Sequence, residues 1–134
     1  MRSNIPNRVC SLMLLGVFVS LSGCLGGSSG TKGYSDLSAQ EFKVLVDDSN
    51  TFVLDVHIPE QSHINGTDAF IPYTDIKENA DLLPKNRSTP IAVYCRSGSM
   101  STKASEDLVE LGYTNVYNLK GGVRAWKSAG YEVE

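Results

Sequence analysis

A small α/β domain, with a parallel sheet flanked by helices, is the fold this sequence predicts. Three observations carry the prediction. Short apolar runs recur at 51–56, 69–71, 91–94 and 115–119, each too brief for a helix. Stretches of helical spacing separate them and end at glycine or proline. The runs are apolar almost throughout rather than alternating, which is the pattern of strands covered on both faces, and strands alternating with helices close most economically into a parallel sheet.

Taken in order, Ser38-Ala39-Gln40-Glu41 has capping-box spacing, and Phe42, Leu45 and Val46 follow on one helical face, so a first helix starts there. Thr51-Phe52-Val53-Leu54-Asp55-Val56 is the first strand, and Ala69-Phe70-Ile71 the second. Ile91-Ala92-Val93-Tyr94 and Asn115-Val116-Tyr117-Asn118-Leu119 are the third and fourth. Helices are predicted over Asp75–Leu83, stopped by Pro84; over Ser99–Leu111, ended by Gly112; and over Val123–Ala129, ended by Gly130.

The first 23 residues differ from the rest. Arg2 and Arg8 precede the apolar run 9–19, which is too short to span a bilayer comfortably and has the layout of a signal peptide. It ends in Leu21-Ser22-Gly23-Cys24, which resembles the lipobox of prokaryotic lipoproteins. That resemblance implies cleavage before Cys24, acylation of Cys24, and an exported protein held on a membrane facing a periplasm or the cell exterior. An ordinary secretory signal with an incidental cysteine is the alternative. Residues 24–33, rich in Gly and Ser, read as a flexible tether, and 34–134 as one folded domain.

Charge excludes one class of partner. Removal of the leader takes away two arginines and no acid, leaving ten basic against fifteen acidic residues and moving the net charge from −3 to −5. The basic residues are scattered and no aromatic residues interleave with them, so there is no nucleic-acid footprint.

Cysteine usage narrows the chemistry. With Cys10 in the leader and Cys24 acylated, Cys95 is left without a partner, so a structural disulfide is excluded and metal binding by cysteine has no second thiolate. Cys95 stands at the carboxyl end of a predicted strand, where ligands gather in open α/β sheets. The loop Arg96-Ser97-Gly98-Ser99-Met100 behind it is small enough for its N–H groups to converge on the sulfur, the following helix adds a positive field, and Arg96 a fixed charge. Such a cradle stabilises negative sulfur and holds an anion. A buried inert cysteine is the bland alternative.

Cys95-Arg96-Ser97-Gly98 resembles the active loop of the rhodanese family of sulfurtransferases. Leu54-Asp55-Val56, His63-Ile64-Asn65-Gly66 and Leu119-Lys120-Gly121-Gly122-Val123-Arg124-Ala125-Trp126 resemble further family landmarks in the same order. The resemblance implies a rhodanese-like fold and a ping-pong transfer in which Cys95 takes a sulfane sulfur as a persulfide and passes it to a nucleophile. Arg96, Ser97, Gly98, Ser99, Met100 and Ser101 would line the bound substrate, with the three serines open to a second role as helix caps. The implied partners are a small sulfur-containing anion and a thiol or cyanide-like acceptor, with no cofactor and no metal. Gly121 and Gly122 read as a turn and Trp126 as core packing.

The chain departs from the family at three places. Met100 stands at the sixth loop position, where thiosulfate-using members commonly carry arginine or a threonine-like donor. The segment from Asp55 to Gly66 is short, and His57 sits where an arginine is frequent; His57 and His63 read as structural histidines. A Cys-x5-Arg phosphatase or arsenate reductase would need arginine at position 101, which is serine. A non-catalytic rhodanese-like module that binds a partner or carries sulfur at the membrane is the remaining alternative.

Overall fold

The computed structural model describes residues 32–134; the leader expected over 1–23 and residues 24–31 of the expected tether, with Cys24, lie outside the described residues. Five strands form one sheet: β1 Tyr34–Leu37, β2 Phe52–Asp55, β3 Ala69–Phe70, β4 Ile91–Tyr94 and β5 Val116–Leu119. Every pairing is parallel and the order is β1-β5-β4-β2-β3. Helices α1 Ala39–Val46, α2 Ser99–Glu110 and α3 Gly122–Ser128 cover it. No helix among the described residues is long and apolar enough to cross a membrane.

Both faces of the central strands are largely buried, as runs that are apolar almost throughout require. On one face Leu54, Val56, Ile91, Val93 and Cys95 pack with Ala104 and Leu108 of α2 and with Ile71, Ile76 and Leu83. On the other, Val53, Ala92, Tyr94 and Leu119 meet Phe42 of α1 and Val123 and Trp126 of α3. Phe42 stands edge-on to both Tyr94 and Trp126, with centroids 6.3 and 6.4 Å away. Each fully buried side chain of this size contributes about 1.5–3 kcal/mol, so the two layers fix where β4 ends and hence where Cys95 lies.

The capping box forms as read: Ser38 Oγ accepts from the Glu41 N–H at 3.2 Å, and Glu41 Oε2 accepts from the Ser38 N–H at 2.8 Å. Two expectations need correction. The edge strand β1 was not foreseen, because Ser35 and Asp36 face solvent and break the apolar run. The helix expected over Asp75–Leu83 is a series of turns with only a 3-10 turn at Ala80–Leu82. There Asn79 Nδ2 donates to the Asp75 carbonyl at 2.9 Å, a side-chain competitor for the backbone, and Leu83 is extended as a residue before proline must be.

Candidate active site

The four residues of β4 are buried, and the strand delivers Cys95, 1% exposed, to the base of a tight loop. Gly98 closes that loop with φ +107°, a conformation that favours glycine, and is itself the N-cap of α2. None of the serines in the loop is the cap. The turn aims the Gly98 N–H at Cys95 Sγ, 3.0 Å away.

A second donor comes from the first turn of α2. Ser101 is wholly buried, and its Oγ lies 3.3 Å from Sγ and 3.2 Å from the Gly98 carbonyl. That carbonyl already accepts the Thr102 N–H at 3.1 Å and the Thr102 hydroxyl at 2.8 Å, which fill its two lone pairs. The Ser101 hydroxyl therefore has two acceptors within reach, of which the sulfur is the less crowded. Two donors thus converge on Sγ, and the positive end of a twelve-residue helix stands behind them with no acid in its first turn.

Arg96, Ser97 and Ser99 are exposed at the mouth of the loop. Met100 is half-buried, and its thioether packs against the core cluster that includes Cys95. Of the six residues expected to line a substrate, Gly98 and Ser101 are the two hydrogen-bonded to the sulfur.

The tandem glycines do more than turn the chain. The Val123 N–H donates to the Cys95 carbonyl at 2.9 Å and the Arg124 N–H to the Arg96 carbonyl at 3.1 Å, so α3 clamps the backbone of the loop. That approach requires Gly122, since a Cβ there would sit 2.5 Å from both the Cys95 carbonyl oxygen and the Arg96 carbonyl carbon. A glycine pair between a strand and a helix was the available signal of close backbone contact.

Neighbouring loops are pinned by buried polar groups. Tyr94 accepts the Ile64 N–H at 2.9 Å and lies 2.7 Å from Thr67 Oγ1; burial holds its phenol protonated well above the usual range. Asp55, fully buried at the end of β2, accepts the His57 N–H at 3.0 Å and meets His63 Nδ1 at 2.8 Å, while His63 Nε2 meets Glu60 at 2.9 Å. Partial desolvation disfavours the charged imidazole, but hydrogen bonds to Asp55 and then Glu60 outweigh it and raise His63 above its ordinary value. His57 Nδ1 lies 2.7 Å from the Pro59 carbonyl. Both histidines are thus engaged within their own loop.

Comparisons with known proteins show the family. The profile of the rhodanese-like domain family matches residues 38–129. Thiosulfate sulfurtransferase PspE of Escherichia coli K12 is 37% identical over 71 residues, which is 51% of this chain and 67% of PspE. The adenylyltransferase and sulfurtransferase UBA4 of Meyerozyma guilliermondii is 30% identical over 113 residues, 74% of this chain, but the chain spans only 27% of that protein. Among solved structures, a rhodanese-related protein from Thermoplasma volcanium superposes with a TM-score of 0.65 at 28% identity, covering 75% of this chain and 98% of that one.

Proposed function

The chain belongs to the rhodanese-like domain family, and from that premise we propose that it is a sulfurtransferase whose nucleophile is Cys95. The observation that carries the reading is the convergence of the Gly98 N–H and the Ser101 hydroxyl on Sγ at the head of α2. Both donors face the charge of the attacking thiolate, which is thus met by groups already in place.

In this reading the Cys95 thiolate attacks the sulfane sulfur of the donor. A new S–S bond forms as the donor's own bond to that sulfur breaks, and the remainder leaves with the electron pair, as sulfite when the donor is thiosulfate. A thiol or cyanide acceptor then attacks the outer sulfur of the persulfide, departs with it, and returns Cys95 as thiolate. No separate oxidant or reductant is consumed. Cys95→Ser should abolish transfer to cyanide while leaving the circular dichroism spectrum unchanged, because a serine hydroxyl is too weak a nucleophile to replace the thiolate. Transfer at the parent rate would refute the reading.

We further infer that Cys24 is acylated and holds the domain on a membrane outside the cytoplasm, supported by the short apolar leader, the Leu21-Ser22-Gly23-Cys24 sequence and the Gly/Ser tether. Cys24→Ala should lose the lipid mass; a variant that fractionates identically with membranes and retains the same lipid mass would refute the anchor.

A further inference from the structure

We propose that Arg124, on the first turn of α3, acts with Arg96 as the anion-receiving wall of the Cys95 site, so that recognition of an oxyanion-bearing sulfur donor rests on α3 rather than on the sixth position of the Cys95 loop. The proposal rests on the sulfurtransferase reading and deepens it.

Most cations elsewhere in the described domain are occupied. Lys32 pairs with Asp36, Lys43 with Asp47, Lys77 with Asp107 and Glu110, and Lys103 with Asp107 and Glu106. Arg87 donates to the Tyr113 hydroxyl and to the Pro84 carbonyl. Arg96, Lys120 and Arg124 are exposed and make no ion pair among the described residues; the same holds for Lys85 and Lys127, but only the first three lie on the segments that meet at the thiol.

These three are also brought together by backbone contacts at the thiol. Arg96 follows Cys95 directly, and the Arg124 N–H is bonded to the Arg96 carbonyl at 3.1 Å. Lys120 precedes Gly121, whose nitrogen would lie 3.3 Å from a Cβ on Gly98, the residue whose N–H meets Sγ. Neither α2 nor α3 has an acid in its first turn to neutralise them. A chain with a net charge of −3 thus gathers free cations at one place, where they raise the local concentration of anions.

The chemistry of the wall selects the ligand. Two guanidinium forks can each donate paired hydrogen bonds to the oxygens of a thiosulfonate or carboxylate group, whereas Met100 packs against the core and has no proton to donate. The fitting donor carries its transferable sulfur beside an oxyanion, which the forks hold while the sulfur faces Cys95. Lys120 adds field as a point charge.

The test reads Cys95 with two reagents of similar size and different charge. In the full-length protein, alkylation of Cys95 by neutral iodoacetamide and by anionic iodoacetate is followed by peptide mass mapping for wild type, Arg124→Gln and Arg124→Lys. The iodoacetate-to-iodoacetamide rate ratio should fall about threefold or more in Arg124→Gln and recover in Arg124→Lys, with the iodoacetamide rate little altered. In parallel, KM for thiosulfate should rise about tenfold in Arg124→Gln, with the loss falling in KM rather than kcat. Equal slowing by both reagents, or an unchanged ratio, would overturn the proposal. A reduced ratio in a protein whose wild type takes no sulfur from any donor would uphold the anion-receiving wall and refute the sulfurtransferase reading.

Discussion

Replacing Gly122 by alanine should disable the site without touching the sulfur. The new Cβ would stand 2.5 Å from the Cys95 carbonyl oxygen and the Arg96 carbonyl carbon, and 2.6 Å from the Arg96 oxygen, where ordinary contact begins at 3.4 Å. About 0.9 Å must therefore be found, and every atom in the way is backbone, so no rotamer change relieves it. Moving α3 away breaks the bonds from Val123 and Arg124 to the loop carbonyls, worth about 1 kcal/mol each. The left-handed φ of +60° adds about 1–2 kcal/mol for a residue with a side chain. The expected loss is roughly 3–4 kcal/mol, or a fall in Tm of roughly 10–20 °C for a domain of this size. A displacement near 1 Å at the nucleophile should cost about 100-fold in kcat/KM, measured below the lowered Tm. Gly130→Ala is the control, because its φ is +90° and nothing lies within 4 Å of the added carbon. It should show only the conformational cost of about 1–2 kcal/mol and keep full activity. Gly122→Ala with parental transfer, or Gly130→Ala with an equal activity loss, would refute the clamp.

Ser101→Ala should slow persulfide formation about 10- to 100-fold, the worth of one hydrogen bond to a charged group, with Tm nearly unchanged; rapid-quench kinetics beside thermal unfolding checks it. His63 should make stability pH-dependent: because its folded-state pKa is raised, its contribution is complete below its ordinary value of 6.5 and is lost as pH rises through the folded value. Denaturant unfolding of wild type and His63→Gln should therefore converge from pH 6 towards pH 9, as about 6.5 marks the unfolded histidine; parallel curves would contradict the Asp55–His63–Glu60 bridge. Met100→Arg should lower stability by about 1–2 kcal/mol, since the thioether packs half-buried against the core, and a variant melting like the parent would place that side chain in solvent instead.

Much of this architecture is legible in the chain because β2, β4 and β5 lie in the middle of the sheet and are apolar almost throughout, and because Ser38 and Glu41 are the local chemistry of a helix start. Cys95 was findable for the same reason: a buried strand followed by Arg-Ser-Gly-Ser leaves the thiol at a helix head. What escaped depends on contacts between distant segments. β1 pairs with β5 through backbone groups while Ser35 and Asp36 face water, so its sequence carries no strand-like apolar run. At 75–83 the apolar spacing of a helix is present, yet Asn79 ties up a backbone carbonyl and Pro84 forces Leu83 to be extended. The service of Gly122 to Cys95 is tertiary, since 27 positions separate two segments that meet only in the folded sheet.

The most direct test is the mass of Cys95 after exposure to a sulfur donor. Full-length protein is treated with thiosulfate or polysulfide, freed of reagent, trapped with a neutral alkylating agent and mapped by peptide mass spectrometry. The account predicts a gain of about 32 Da, one sulfur, on the Cys95 peptide, lost on adding cyanide with equimolar thiocyanate appearing. Cys95 that stays unmodified with every donor, or a gain that cyanide does not remove, would contradict it.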